Sequence, residues 1–355
     1  MTTSPGSKSP GSEGTPDVVS GKHTQRSSEF AAAVADSAAE AREALLQATP
    51  PNRSFTQERN FSERQIDRAI KLGFRRPAWV WIARDHGGAI LGVVAGWGAE
   101  HRATPFILDF LDLPFDRPEI ARALLELAVR DSSEPDRATM DLIHFLPSTS
   151  GLDDPDVAAL IETLANSGFR MLVRRRRYRL DVLGARIEVP PTNLRFDSIE
   201  RADDPRLPAI MADILVGSLD AHDVDALSRG DLETVAAETV AEYLERDPFE
   251  SMYLALDPED RVVGLVIGGL RGSPETGTAS FIGVSHRHRG HGYAAQLLGW
   301  ITRRIIADGA LFIVAETDDD NFPMAAAFTK VGYPHTESRI DFVRDLVPAR
   351  KSGSR

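Results

Sequence analysis

Between Val284 and Ala294 the chain reads Val-Ser-His-Arg-His-Arg-Gly-His-Gly-Tyr-Ala, a basic, glycine-rich stretch flanked by apolar segments. Gly290 and Gly292 carry no side chain, so main-chain N–H groups there can come close to a ligand. The residues that follow (Ala294, Leu297, Leu298, Ile301, Ile305) share one face at helical spacing. A helix starting near residue 292 adds unpaired N–H donors and the positive end of its dipole. Arg287 and Arg289 add charge. The combination predicts an anion site suited to a pyrophosphate.

Three readings of this loop stand side by side. It can cradle the pyrophosphate of coenzyme A. It can be a dinucleotide fingerprint, since Gly290, Gly292 and Ala295 satisfy G-x-G-x-x-A. It can also be a tight turn without a ligand. The dinucleotide reading requires the motif in the first strand-to-helix turn of its domain, whereas here it comes late. A second motif follows one strand later, from Asn321 to Tyr333. Asn321 can cap a helix, Pro323 suits its first turn and Gly332 suits its end.

Stepping outward, the apolar patterning predicts strands near 79–84, 89–97, 106–111, 138–146 and 169–182, with helices at 117–130 and 154–166. A similar order follows the Pro190-Pro191 connector: strand 194–199, helices near 205–219 and 231–246, strands 251–257, 261–270 and 278–285, helix 292–307, strand 311–316, helix 321–331 and a strand pair within 333–346. Upstream, the Ala-rich 30–47 reads as a helix. Ser62 and Gln65 have capping-box spacing before another. The two halves also share residues. Trp79–Trp97 aligns without a gap on Ser251–Gly269, so that Ala83 meets Ala255, Gly92 meets Gly264 and Gly96 meets Gly268. Phe106-Ile107 is matched to Phe281-Ile282, and Leu164–Phe169 to Phe328–Tyr333. Three blocks in one order predict two copies of one α/β unit.

Residues 251–334 resemble the core of the GNAT superfamily of N-acetyltransferases. Arg287, Gly290, Gly292 and Ala294 match its Q/R-x-x-G-x-G/A coenzyme A loop, and Asn321 through Tyr333 match its later segment. The whole chain resembles the tandem members of the superfamily, which include mycothiol synthases. The resemblance implies an α/β fold of two GNAT-like domains, each a twisted mixed sheet with flanking helices: a degenerate copy over 51–183, a linker at 184–193 and an acetyl-CoA-binding copy over 194–348. Residues 1–50 are expected to be a disordered or partly helical tail, and 349–355 a disordered one. The first copy departs from the pattern. It has no Gly-x-Gly, Asp112, Asp116 and Glu119 would repel a pyrophosphate, and Pro114 and Pro118 lack N–H donors.

The resemblance further implies acetyl-CoA as co-substrate, direct attack of an amine on the thioester, and strands four and five that splay apart. Implied cofactor contacts are Ile282, Gly283, Val284, Arg287, His288, Arg289, Gly290, His291, Gly292, Tyr293, Ala294, Asn321 and Phe328. A backbone N–H near Ile282–Val284 would polarise the thioester carbonyl. An amine of pKa near 10 needs a base, for which Glu316 is the first candidate and Asp318 the second. His222 reads as a surface histidine. The family often places a Tyr where this chain has Phe328, which cannot donate a proton, and Tyr333 is the nearest phenol.

Composition bounds the rest. The 355 residues suggest about two domains, with 42% hydrophobic and 26% charged residues. Cysteine is absent, which excludes disulfides, thiolate metal sites and a Cys nucleophile. No apolar run approaches the ~20 residues that span a bilayer, and no secretory signal is seen. A net charge of -12 disfavours nucleic acid and favours cationic ligands. Arginines interleave His286, His288 and His291, so no metal site is expected. The basic run Arg174–Arg177 is read as a strand facing the acidic second copy. The expectation is a cytoplasmic N-acetyltransferase for a small amine or amino sugar, with no nucleic-acid, membrane or metal partner. The alternatives are a mycothiol-synthase-like enzyme of thiol-cofactor biosynthesis and a non-catalytic acyl-CoA sensor or scaffold.

Overall fold

The computed structural model describes residues 24–26, 29–49, 54–134, 137–271 and 274–346. The expected C-terminal tail, 349–355, lies outside this set, as do residues 1–23, 27–28 and 50 of the expected N-terminal one, whereas 24–26 and 29–49 are described. In chain order the first half comprises β1 Thr24–Arg26, β2 Phe30–Val34, α1 Ala38–Gln47, α2 Phe55–Asn60, α3 Glu63–Lys71, β3 Val80–Asp85, β4 Ile90–Trp97, β5 Ile107–Asp112, α4 Pro118–Asp131, β6 Thr139–Pro147, α5 Pro155–Asn166 and β7 Arg170–Asp181. The second comprises β8 Arg195–Ser198, α6 Arg206–Leu215, α7 Ala221–Leu227, α8 Leu232–Arg246, β9 Met252–Leu256, β10 Val262–Leu270, β11 Thr276–Val284, α9 Tyr293–Ala307, β12 Phe312–Asp318, α10 Phe322–Val331 and β13 His335–Asp345.

Four expectations are corrected. The 30–47 segment is not one helix: Phe30–Val34 pairs with β3 as a strand, and the helix starts at Ala38 behind a Ser37 cap. The alternately buried side chains of Phe30–Val34 suit a strand beside β3, so packing overrides alanine's helix preference. The capping box belongs to Ser54 and Gln57 of α2, while Ser62 makes no side-chain cap. The region 205–219 ends its helix at Leu215, and the next turn begins a separate helix, α7. The final strand pair is one long strand, β13.

The repeat is visible in the hydrogen-bond register. Ala83 faces Gly92 and Arg84 faces Ile90; Ala255 faces Gly264 and Leu256 faces Val262, so both hairpins slip at the same place. On the next ladder a bulge follows Ala95 in one copy and Ile267 in the other, leaving Asp109 and Ser280 as the extra residues. This register sets Phe110-Leu111, rather than Phe106-Ile107, in the place of Phe281-Ile282. Gly168 and Gly332 end α5 and α10 at positive φ, 80° and 98°. Phe169 and Tyr333 then each donate a main-chain bond back, to Leu164 and Phe328.

Among the described residues all strands join one 13-stranded sheet, ordered β1-β2-β3-β4-β5-β6-β13-β7-β12-β11-β10-β9-β8. The last strands are exchanged. β13 runs antiparallel to β6 of the first half, and β7 runs antiparallel to β12 of the second. Helices α4, α5, α9 and α10 cover one face, packing on residues such as Leu142, Ile340, Ile313 and Ala315. Helices α6 and α8 cover one end of the opposite face, over Leu254, Leu265 and Ile267. The side chains of Arg175, Arg177 and Arg179 alternate with buried Tyr178 and Leu180, which point to the α9 side. A charged stripe therefore crosses the middle of the sheet on the α6–α8 face.

Candidate active site

Strands β11 and β12 pair in parallel only at Thr276–Thr278 with Phe312–Val314. Both continue, to Val284 and Asp318, but no longer pair with each other. Beyond the bulge at Ser280 the β12-facing edge of Phe281–Val284 opens a wedge, while its other edge stays bonded to β10. The expected splay is thus present. The first copy also splays, since β5 and β6 share only Ile107–Asp141 and Leu108–Leu142.

The loop that closes the wedge is built for close approach. Gly290 and Gly292 have φ of 83° and 75°, and a Cβ at either would meet no atom within 4 Å. Gly292 caps α9 without any side-chain bond to the helix N–H groups. A pyrophosphate fits this open, donor-rich turn. Asp213 of α6 holds the turn in place: it accepts from the Ser285 hydroxyl and lies 2.8 Å from His286 Nδ1. Arg287 stays 75% exposed with only a 3.6 Å approach to Asp213, so its guanidinium can reach outward. Arg289 does not. It donates to the carbonyls of Val216 at 2.9 Å and Gly217 at 2.7 Å, closing the end of α6. This corrects its expected place as a free charge at the cofactor loop. His288 and His291 bond within the loop, to the Ser285 hydroxyl and the His288 carbonyl.

In the first copy the equivalent turn is filled. Leu113 is buried, Phe115 packs on the core, and the Pro114 ring comes within 3.0 Å of where a Cβ on Gly92 would lie. α4 starts with Pro118, which has no N–H to offer.

Phe328, expected at the cofactor, is instead core. It is 1% exposed, stacked on Tyr178 at 4.2 Å and edge-on to Tyr333. The Tyr333 hydroxyl is buried against Thr302 at 2.8 Å. Neither ring reaches the wedge. Asn321 uses its side-chain oxygen to cap α10 through the Met324 N–H, 3.2 Å away. Gly283 owes its lack of a side chain to Ile214 and the Phe281 ring, both within 2.6 Å of a Cβ placed there.

Glu316 lies on β12 in a clamp. Arg177 and Arg339 each direct a guanidinium N–H at one of its oxygens. Burial would raise its pKa, but Arg339, Arg177 and Arg175 outweigh it and hold Glu316 below the ordinary carboxylate range. A carboxylate so stabilised is a poor proton acceptor. Asp318 differs. It ends β12 at the wedge, accepts from the Ala221 N–H at 2.7 Å and lies 2.9 Å from Arg175 Nε. Burial, together with neighbouring Asp220, raises its pKa against the pull of Arg175.

Sequence reasoning missed α7. Its first N–H docks on Asp318, and His222 Nε2 sits 2.8 Å from Asp341 of β13, so His222 is a paired histidine rather than a loose surface one. Burial alone would lower the His222 pKa, but the bond to Asp341 and the nearby carboxylates raise it. Asp223, bonded by Ser218 at 2.6 Å, is raised to about 6 by burial and by Asp220. Tyr243 of α8 packs 5.2 Å from Phe281, and burial pushes its pKa up. The partners in Ala221–Asp318, His222–Asp341 and Tyr243–Phe281 are far apart in sequence, so no local signal revealed them.

Residues 221–333 match the family described as the Acetyltransferase (GNAT) family. Two solved structures share the architecture over most of the chain. One is a GCN5-related N-acetyltransferase from Sphaerobacter thermophilus, 15% identical, with 90% of this chain and 96% of that one covered at a TM-score of 0.57. The other is a tandem GNAT protein from the clavulanic acid biosynthesis pathway, 15% identical, covering 90% and 99% at a TM-score of 0.52. The chain has the tandem GNAT fold, and within its second half residues 221–333 match the family's acetyltransferase domain. That domain match supports an acyltransferase; likeness at this identity speaks to fold alone and does not single out a mycothiol synthase.

Proposed function

We propose that the protein transfers the acetyl group of acetyl-CoA to the amine of a small molecule by direct attack on the thioester. The observation that carries this is the wedge: β11 leaves β12 after Thr278 and leads straight into the open Gly290–Gly292 turn. Main-chain N–H groups from Gly290 to Ala294, with Arg287, would hold the diphosphate. The free edge at Ile282–Val284 would donate to the thioester carbonyl and stabilise its oxyanion. Acetyl-CoA supplies the activated acyl group. Asp318 is the proposed proton acceptor for the incoming ammonium, because it lies on β12 beyond its last pairing with β11 and its pKa is raised rather than lowered. No phenol reaches the site from Phe328 or Tyr333, so the thiolate, of ordinary pKa ~8.5, would leave without a donor from either.

Calorimetry with acetyl-CoA tests the cradle, and thiol release over an amine panel tests turnover. Gly290→Asp is expected to abolish detectable binding by placing a carboxylate in the open space. Unchanged affinity in that variant would count against the site. Two other outcomes define rival readings. Binding without thiol release from any amine would favour an acyl-CoA sensor or scaffold, for which buried Phe328 and the filled first-copy turn speak. Turnover confined to a cysteinyl amino sugar would favour a mycothiol-synthase-like role.

A further inference from the structure

A cavity of about 380 Å³ lies at the middle of the sheet on the face that carries the charged stripe, between α2 and β11. Its charged lining is Arg59, Arg177, Arg179, Arg271, Glu337 and Asp109. The acids are already committed. Glu337 accepts from the Thr56 N–H and hydroxyl, both at 2.6 Å, and from Arg177 Nε at 3.3 Å. Asp109 takes both its bonds from buried Arg75 at 2.9 Å. The cations are not balanced to the same degree. Arg177 is shared with Glu316, Arg179 with Asp181 at the exposed strand end, and Arg271 is 3.7 Å from Asp247. Arg59 has no carboxylate partner among the described residues. Its guanidinium lies 5.7 Å from the Phe312 ring centroid, and that of Arg179 lies 4.6 Å from the same ring. Burial, then Arg177, Arg179 and Arg68, lower the Arg59 pKa. Guanidiniums gathered around a partly buried cavity repel one another until an anion joins them.

We propose that this cavity binds the anionic end, carboxylate or phosphate, of the acceptor, so that the acceptor is an amine carrying negative charge away from its reactive nitrogen. The inference rests on the acetyltransferase reading and adds the substrate class to it. The cofactor's own diphosphate does not account for the cavity. Helix α9 and its glycine turn lie on the face of Ile313 and Ala315, whereas the cavity is walled by Phe312 and Val314, which point the other way. The cavity does share the strands of the wedge: Thr276, Thr278, Phe312 and Val314 are part of its wall and belong to the paired stretch of β11 and β12, with Thr278–Val314 the last pair before the strands part. Same-face residues along a strand are roughly 7 Å apart, so a ligand about two such steps long would span from Arg59 to the wedge. A planar guanidinium beside an aromatic ring suits a carboxylate or phosphate held by two parallel bonds.

The test is thiol release from acetyl-CoA with neutral amines and with matched amines bearing a carboxylate or a phosphate, for the native protein, Arg59→Gln and Arg59→Lys. The anionic amines are expected to be the better substrates. Arg59→Gln should raise their KM about tenfold or more while leaving the neutral amines and the acetyl-CoA affinity unchanged. Arg59→Lys should recover part of the loss, which a merely misfolded variant would not do. Equal turnover of neutral and anionic amines, or an anionic-amine KM indifferent to Arg59, overturns the proposal while leaving the acetyltransferase reading intact. If no amine is turned over, calorimetry with inorganic phosphate and with glutarate reads the cavity directly. Saturable binding of either anion that is lost in Arg59→Gln supports the anion site, and its absence in the native protein overturns it.

Discussion

Glu316 and Asp318 are two carboxylates on one face of one strand, and their surroundings give them opposite capacities. Glu316 is neutralised by two guanidiniums and anchors the charged stripe. Asp318 ends β12 where that strand has parted from β11, with one guanidinium and a helix N–H beside it. Glu316→Gln is therefore expected to lower the thermal midpoint, because it leaves Arg177 and Arg339 buried without their shared counter-charge, a change that typically costs about 3–5 kcal/mol. Turnover per folded molecule should stay near native. Asp318→Asn should do the reverse, cutting turnover by about 10²–10⁴-fold while acetyl-CoA binds as before. A folded but inactive Glu316→Gln protein, read by circular dichroism beside the thiol assay, would return the base to Glu316.

At the scale of elements, α7 is a short helix held to the sheet by polar contacts. Ala221 bonds Asp318, His222 bonds Asp341, and Asp220 bonds Arg175 at 2.9 Å. None of its residues is fully buried, and Ala226 and Leu227 pack only from the edge of the α6–α8 cluster, so these polar contacts carry much of its positioning. They also make its docking depend on pH. Glu316 and Asp341 have folded pKa values below their ordinary ones, so their contribution is present above the carboxylate range and is lost as pH falls through the folded values. His222 has the opposite sign. Its folded pKa is raised above 6.5, so its contribution is complete below that value and is lost as pH rises through the folded one. Unfolding midpoints measured from about pH 2 to about pH 9 should fall on both sides. His222→Gln should flatten the alkaline side near neutrality and leave the acid side unchanged. An alkaline slope that persists in the variant would assign it to another group.

For the whole molecule, the exchanged strands decide the architecture. β7 presents Arg175 and Arg177 to Asp318 and Glu316 on one side and to Arg339 and Glu337 on the other. Were β13 to take the place of β7, with Gly332 standing where Gly168 does, Asp341 would replace Arg177 opposite Glu316, and like charges opposite one another on a sheet destabilise it, while Arg339 would still face Asp318. Through the exchange each half comes to depend on a strand from the other. A protease site placed at Leu183-Gly184, where Leu183 is 90% exposed and nothing lies within 4 Å of a Gly184 Cβ, can be cut without disturbing the packing. The two cut pieces are expected to elute together as one species in native size exclusion and to part only under denaturant. Separation under native conditions would contradict the interlocked sheet.

Much of this was legible in short stretches of residues. The gap-free match of Trp79–Trp97 to Ser251–Gly269 anticipated two hairpins that slip at the same positions. The glycines at 290 and 292 marked the open turn, and Gly168 and Gly332 marked two helix ends, because positive φ is a local demand that glycine meets without a Cβ clash. The basic run on β7 was read as facing acids of the second half, and it does so through Arg170–Asp225, Arg175–Asp318, Arg176–Asp319 and Arg177–Glu316. Partner choice between strands of similar copies is another matter. β7 and β13 carry the same alternation and follow equivalent helices, so each suits either half by pattern alone. Only the tertiary structure settled which edge each strand took, clamped Glu316, buried Phe328 between two tyrosines, turned Arg289 to the end of α6 and brought His222 to Asp341. Those outcomes come from charge and packing summed over residues distant along the chain, whereas turns, caps and hairpins are decided by neighbours within a few positions.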